Sequence, residues 1–228
     1  MKKMISLLIV SLSICISSFS LVYSASFEGT KRAAEQGDAD AQYSLGLFYV
    51  LQQDYKQGKE WYEKAAKQGH ADAQAGLSGL YYLGLGVRQD YQKARQWCEK
   101  AAEKGHTSSQ FFLGTLYNLG KCVRQDYQKA RQWYEKAAER GHVDAQYALG
   151  SLYYLGLGVR QDYQKTKLWY EKAATQRHAN AQYGLGFLYE NGKGVRQNRT
   201  IAKEWYGKAC DNGFQDGCDA YARLNTAR

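Results

Sequence analysis

The chain of 228 residues contains no proline, which excludes collagen-like sequence and proline-rich linkers. It also lacks the motifs Ser-x-x-Lys, Gly-x-Ser-x-Gly, His-Glu-x-x-His and Cys-x-x-Cys. The chain therefore lacks the residues that the common hydrolases and dithiol oxidoreductases use for catalysis. Beyond the N-terminus no long apolar run occurs, so no transmembrane segment is expected in the mature chain.

The residues that are present favour a folded protein. Apolar residues make up 44% of the chain and aromatic residues 14%, enough to bury a core, which argues against global disorder. The formal net charge is +9 at pH 7, from 31 Lys and Arg against 22 Asp and Glu. Such an excess of positive charge favours anionic surfaces as partners.

The first 24 residues have the pattern of a targeting segment. Two lysines precede an apolar centre, and small residues follow it around Ser24. This order is typical of a secretory signal peptide, so we expect cleavage after Ser24 and export of residues 25–228 to the periplasm or out of the cell. An uncleaved membrane anchor is one alternative, and a lipoprotein signal that ends at Cys15 is another.

One unit of about 36 residues recurs along the rest of the chain. Ala-Gln pairs, or Ser-Gln in the third unit, follow one another at spacings of 32, 36, 36 and 36 residues. All five tryptophans obey the longer period: Trp61, Trp97, Trp133, Trp169 and Trp205. The first unit is shorter because it lacks the Gly-x-Gly-Val segment of 84–87, 156–159 and 192–195. A recurring unit of this length predicts a repeat protein.

Each unit predicts two helices. In the fourth unit Ala145, Leu149 and Leu152 follow helical spacing and form one apolar face. An aspartate, which can accept hydrogen bonds from first-turn N–H groups, stands at the expected start of three second helices: Asp90, Asp126 and Asp162. Glycine stands where the other second helices end, so Arg177 at this position predicts a looser or differently closed turn.

A single helix pair cannot bury its apolar face, whereas stacked pairs can. The sequence therefore predicts an all-α fold, a right-handed superhelical α-solenoid of stacked antiparallel helix pairs, as a single domain over residues 25–228. The five repeats are expected at about 38–70, 71–106, 107–142, 143–178 and 179–214. Residues 215–228 are expected to form a C-terminal capping helix.

The units resemble the Sel1-like repeat (SLR) family, which is related to tetratricopeptide repeats. The resemblance rests on segments such as AQYALGSLYYLGLGVRQDY at 145–163 and KARQWYEKAA at 129–138, and it recurs five times. It implies an interaction scaffold rather than an enzyme. A likeness at the level of the fold leaves the partner open.

Cys210 and Cys218 lie near the end of the last second helix and the start of the capping helix. Two helices joined by a short turn can bring such positions within disulfide reach, and an exported protein meets an oxidising compartment. The spacing is similar to that of secreted cysteine-rich SLR proteins of the Hcp type, and two buried thiols are the alternative. For Cys98 and Cys122, a mutual bridge, a reactive thiol and an intermolecular bond all stay open.

Two further patterns are explained by repetition. The four histidines lie 36 residues apart, in the same turn of successive units: His70, His106, His142 and His178. Packed helices lie about 10 Å apart, too far for successive units to share one metal ion at about 2 Å. The Gly-x-Gly segments recur between helices rather than after a strand, which favours turns over phosphate loops. No metal and no cofactor is therefore expected.

A binding surface is expected where the first helices line the concave side of the solenoid. The positions between the buried Leu, Gly and Tyr vary from unit to unit there, as recognition of different partner features requires. The predicted partner-binding residues are Tyr43, Tyr82, Phe111, Asn118, Tyr147, Tyr154, Tyr183, Phe187 and Glu190. The alternative is that these side chains are partly buried against neighbouring helices.

One arginine of the loop between the two helices recurs in four units and is predicted to form a basic ridge: Arg88, Arg124, Arg160 and Arg196. Such a ridge would attract an anionic envelope polymer, lipid headgroups or an acidic partner, and a solvated face is the alternative. Nucleic acid is not expected as a partner, because export is predicted and the aromatic residues repeat as packing positions.

Together these features predict a non-catalytic protein–protein interaction adaptor of the bacterial cell envelope, or a secreted one, that holds a peptide or protein segment in its groove. Binding of an envelope polymer through the basic ridge is one alternative. Because Hcp-type relatives have been described as penicillin-binding or β-lactamase-like, the resemblance also implies an enzymatic alternative. The missing Ser-x-x-Lys motif removes the usual nucleophile of that activity.

Overall fold

The computed structural model describes residues 27–226. The predicted signal peptide, with its cleavage site after Ser24, and Cys15 lie outside the described residues. Within them the regular structure is helical: residues 27–35 belong to α1, and α2 (Ala39–Leu51), α3 (Tyr55–Lys67), α4 (Ala71–Leu83), α5 (Tyr91–Glu103), α6 (Thr107–Leu119), α7 (Tyr127–Glu139), α8 (Val143–Leu155), α9 (Tyr163–Thr175), α10 (Ala179–Asn191), α11 (Arg199–Asp211) and α12 (Gln215–Thr226) follow. No helix in the described range is long and apolar enough to span a bilayer.

Most of the helices begin at a side chain that accepts a hydrogen bond from their first turn. The three predicted aspartates do so, each from the backbone N–H three residues later: Asp90, Asp126 and Asp162. An Asp cap of this kind stabilises a helix by about 1 kcal/mol. The first helices of repeats two to five begin instead at a histidine, whose Nδ1 is the acceptor.

Left-handed residues close the turns between helices. Glycine does so after four second helices, as predicted: Gly69, Gly105, Gly141 and Gly213. Arg177 adopts the same conformation, with φ of 65°, and its N–H donates to the carbonyl of Ala174 at 3.0 Å, as Gly141 does to Ala138. The prediction of a looser or differently closed turn was therefore wrong. The same hydrogen bonds close this turn, and they hold a non-glycine residue in a region that costs about 1–2 kcal/mol.

The chain folds as two compact units, one that ends at Trp97 and one that begins at Cys98, within α5. In the first unit α2 packs on α3 and α3 on α4. In the second unit each helix from α6 to α12 packs on the next. The predicted all-α architecture of consecutive helix pairs is therefore confirmed.

The core of the second unit is built from the same repeat positions in each pair. Leu149 is fully buried among the small residues Ala137 and Ala138, and Tyr134 closes the cluster. The next cluster repeats this pattern around Leu185. In the first unit Tyr62 and Leu77 belong to the equivalent cluster. Alternation of small and large side chains therefore fills these three clusters.

The last helix, α12, is joined to α11 by a disulfide. Cys210 and Cys218 form it, with Cα atoms 4.5 Å apart, as the sequence predicts. Cys98 and Cys122 are thiols in this structure. Cys98 is fully buried, and its Sγ donates to the carbonyl of Ser109 at 3.3 Å.

Candidate functional site

Four of the predicted partner-binding residues share one position of the first helices and pack in the same way: Tyr43, Phe111, Tyr147 and Tyr183. Each ring lies 5.2–5.7 Å from a tyrosine ring of the second helix in its own repeat. The first three rings also stack on the histidine that begins the next repeat, with ring centroids 4.7 Å apart. The fourth ring, of Tyr183, instead packs against Phe214 at 5.2 Å. These rings are half-buried, so they hold consecutive repeats together and expose only part of their surface.

The histidines behind these rings act as helix caps. His178 Nδ1 accepts from the N–H of Ala181 at 3.1 Å, and its Nε2 lies 3.4 Å from the carboxylate of Asp144. Burial lowers the pKa of His178, against the opposing effect of Asp144, and also lowers that of His142. Among residues 27–226 no group of three or more His, Cys, Asp or Glu is placed to hold a metal ion.

We expect the free energy of unfolding to decrease as the pH falls from 7 to 5, because protonation of Nδ1 removes the capping acceptor. A histidine whose pKa is lower in the folded state than in the unfolded state stabilises the fold above the unfolded pKa of about 6.5. This stabilisation is lost as the pH falls through the lower, folded-state pKa. Replacing His142 and His178 by Asn keeps a capping acceptor that does not titrate. Thermal melts at pH 7 and pH 5 should show a smaller loss for this double variant. Equal losses would contradict the capping role.

One cleft of the second unit collects five of the side chains that vary between repeats: Phe111, Thr115, Asn118, Tyr147 and Ser151. Three of these, Phe111, Asn118 and Tyr147, are predicted partner-binding residues. The cleft has a volume of about 470 Å³, and leucines including Leu155 line its walls. Its size lies in the range of about 300–1,000 Å³ that is usual for binding pockets.

The cleft presents two side-chain amides. Within residues 27–226, neither Asn118 nor Asn180 has a hydrogen-bond partner for its side chain. The Asp144 side chain, 59% exposed, supplies a carboxylate, and none of the described lining residues is a lysine or an arginine. The cleft therefore combines apolar walls with available amide donors and acceptors and one negative charge.

Two aliphatic hydroxyl groups of the cleft, those of Thr115 and Ser151, are bound within the protein. Thr115 accepts from the Tyr134 hydroxyl at 3.2 Å, and Ser151 lies 3.1 Å from the Tyr170 hydroxyl. Burial raises the pKa of Tyr134 and Tyr170, so both phenols stay protonated near neutral pH. These four hydroxyl groups are therefore already paired with one another and are not offered to a ligand.

Tyr154 and Phe187 lie in a second aromatic cluster, together with Tyr163 and Lys193. The centroids of the Tyr154 and Phe187 rings are 6.2 Å apart, and those of Tyr154 and Tyr163 are 5.6 Å apart. Lys193 Nζ lies 5.0–5.4 Å from all three centroids and donates to the Tyr154 hydroxyl at 3.0 Å. Tyr154 and Phe187, both predicted to bind a partner, therefore contact the ammonium group of Lys193 in this structure.

Glu190 is engaged by the last helix. Its carboxylate accepts from Arg223 at 2.6 and 2.8 Å and from the Tyr206 hydroxyl at 2.7 Å. The Arg223 hydrogen bonds hold the pKa of Glu190 below its usual value. In the first unit, Tyr82 packs edge-on against Tyr91 at 5.4 Å. Direct contacts of Glu190 and Tyr82 with a partner stay predictions.

The four arginines of the predicted basic ridge are exposed: Arg88, Arg124, Arg160 and Arg196. Each precedes a glutamine whose amide donates to a backbone carbonyl seven residues earlier, which fixes the loop. Arg160 lines a cleft of about 670 Å³ with Arg131 and Lys165, and Arg196 lines another of about 590 Å³. The ridge residues are thus accessible, and their role in binding stays a prediction.

A set of exposed leucines was missed in the sequence. They are the last residues of four first helices and are 52–72% exposed: Leu51, Leu83, Leu119 and Leu155. The available signal was a leucine directly before the turn in four of the five units, where the fifth has Asn191. Leu155 lines the cleft described above, so this position contributes apolar surface to it.

Comparison with known proteins identifies the repeats. The sequence model of the Sel1 repeat matches residues 39–70, 71–106, 107–142, 143–178 and 179–214. A Sel1 repeat protein from Oxalobacter formigenes is 30% identical, with a TM-score of 0.76 over 79% of this chain and 74% of that chain. The uropathogenic Escherichia coli protective antigen c5321, which has an SLR fold, is 33% identical, with a TM-score of 0.54 over 88% of this chain and 52% of that chain.

Helicobacter pylori cysteine rich protein B is 26% identical, with a TM-score of 0.32 over 71% of this chain and 95% of that chain. No curated protein matches the chain in sequence. The five matched repeats run without a gap from residue 39 to residue 214. The described helices repeat in the same pairs, from α2 to α11. The chain therefore belongs to the Sel1 repeat family.

Proposed function

We propose that the protein is an exported adaptor of the bacterial cell envelope that binds an extended peptide segment of a partner protein in the Phe111–Asn118–Tyr147 cleft. Sel1-like and TPR-like repeats are typically protein–protein interaction scaffolds and are in general not enzymes. The observation that carries the proposal is the pair of side-chain amides of Asn118 and Asn180 beside apolar walls, for which residues 27–226 supply no hydrogen-bond partner.

An extended peptide matches these groups chemically. A side-chain amide donates and accepts, as the peptide backbone does, so Asn118 and Asn180 can each pair with backbone N–H and C=O groups of a ligand. The apolar walls around Leu155 can bury a ligand side chain, and a few well-placed polar groups then fix its orientation. Asp144 adds a preference for a basic residue, because the described residues that line the cleft include no lysine or arginine.

Two features support export. The basic and apolar N-terminal pattern is that of a signal peptide. The Cys210–Cys218 disulfide suits an oxidising compartment, where such bonds persist, and would be reduced in the cytosol.

The test is affinity capture with residues 25–228 as bait, made with the disulfide intact and exposed in parallel to cell-envelope and cytosolic extracts. Leu155→Glu places a charge in the apolar wall of the cleft and is expected to weaken capture of an envelope protein at least tenfold. Phe111 and Tyr147 are poor choices for substitution, because their rings pack against histidines of the next repeat. Overlapping peptides of the captured protein then locate the bound segment.

The matched control is Leu168→Glu. Leu168 is 48% exposed, lies on the second helix of the same repeat and does not line the cleft. This variant should capture the partner as the wild type does. Equal capture by Leu155→Glu and the wild type would place the binding site elsewhere, and a partner found only in the cytosolic extract would contradict export.

A further inference from the structure

We propose that Tyr154, Tyr163 and Phe187 form a cation-recognition site for the alkylammonium group of a partner's lysine, and that Lys193 fills this site in the unbound protein. Lys193 Nζ stands in for the ligand's ammonium group. It lies 5.0 Å from the Tyr154 ring centroid, 5.4 Å from that of Tyr163 and 5.1 Å from that of Phe187. A cation within about 6 Å of an aromatic face is attracted by the ring quadrupole.

The site recognises a cation without a countercharge. Among residues 27–226 no carboxylate pairs with Lys193, whose ammonium donates to the Tyr154 hydroxyl at 3.0 Å. Three ring faces around one ammonium are the arrangement by which proteins bind methylated or free alkylammonium groups. The site is separate from the Phe111–Asn118–Tyr147 cleft, so this proposal is independent of peptide binding there.

The other repeats show that this arrangement is specific to the last one. The loop position of Lys193 is leucine at 85 and 157, where it packs with the apolar core, and lysine at 121. The helix position of Phe187 holds Leu47, Gly79, Thr115 or Ser151 in the other repeats. The last repeat is therefore the one that combines a lysine in the loop with an aromatic ring at this helix position.

Lys193 can leave the site without a change in the backbone. Its N–H donates to the carbonyl of Leu188 at 3.0 Å, and the next carbonyl, of Gly194, accepts from the Gln164 side chain. The loop is thus held from both sides, and rotation of the lysine side chain alone uncovers the rings. Because Lys193 forms no ion pair with any described residue, a partner's ammonium group that makes the same contacts can replace it.

The experiment is an NMR titration of residues 25–228 with tetramethylammonium chloride, at ionic strength kept constant with NaCl. In Lys193→Ala the rings are uncovered, and we expect tetramethylammonium to shift their proton signals with a Kd at least tenfold lower than in the wild type. Lys193→Gln, which keeps the chain length but not the charge, should also bind more tightly than the wild type and serves if alanine disturbs the loop.

Two controls make the result specific. Adding Phe187→Ser, the residue that stands at the equivalent position 151, should remove saturable binding from Lys193→Ala while circular dichroism stays unchanged. Neutral tert-butanol, of similar size, should not saturate the site. Absence of tetramethylammonium binding in both folded Lys193 variants would overturn the cation site, as would equal binding of tert-butanol. Equal affinity in the wild type and the variants would overturn the assignment of Lys193 as its occupant.

Discussion

Gly150→Ala is expected to lower the free energy of unfolding by about 2 kcal/mol, because overpacking a filled core costs about 1–3 kcal/mol. A Cβ atom on Gly150 would lie 2.6 Å from Cδ1 and 2.8 Å from Cε1 of Tyr170. The Tyr170 ring cannot move aside easily. It is buried, it stacks on Tyr147 at 5.4 Å, and its hydroxyl lies 3.1 Å from Ser151 Oγ.

The matched control is Gly79→Ala, which should raise the free energy of unfolding by about 0.5–1 kcal/mol. Gly79 lies inside α4, and a Cβ atom there would meet nothing within 4 Å. Alanine then lowers the entropy of the unfolded chain without a clash. Urea denaturation of both variants measures the two effects. A Gly150→Ala protein as stable as the wild type would show that the Tyr170 ring is not confined as described.

Loss of the Cys210–Cys218 disulfide is expected to destabilise the protein by about 2–3 kcal/mol, the value for a loop of this length in the chain-entropy account. The effect should be greatest at α12. Among the described helices, α11 is the one on which α12 packs extensively. Arg223 of α12 also donates two hydrogen bonds to Glu190 of α10. In Cys210→Ser/Cys218→Ser, amide hydrogen exchange in α12 should therefore accelerate more than in α8.

A reductant tests whether this disulfide, rather than the other two cysteines, stabilises the protein. Dithiothreitol should lower the Tm of the wild type and leave that of Cys210→Ser/Cys218→Ser unchanged, because Cys98 and Cys122 are already thiols. A wild-type Tm that resists full reduction would show that the other contacts of α12 suffice to hold it.

The candidate site was only partly predictable. Phe111, Asn118 and Tyr147 were found because they vary at one face of a regular helix, and they do share a cleft. The histidine caps were not identified as caps, because histidine is not among the common N-cap residues. The stacking of Phe111 on His142 was also missed, since it joins residues 31 positions apart whose ring orientations depend on the packing of neighbouring repeats.

The sequence by itself determined the helix pairs, their repeat length, the aspartate caps and the spacing of the disulfide cysteines. These features depend on local hydrogen bonds and on periodicity, which neighbouring residues carry. Only the tertiary structure decided that Glu190 binds Arg223, that Lys193 lies among three aromatic rings, and that Asn118 and Asn180 line the same cleft. The physical reason is that sequence spacing places a side chain on a helix face, whereas its partners depend on how separate helices pack.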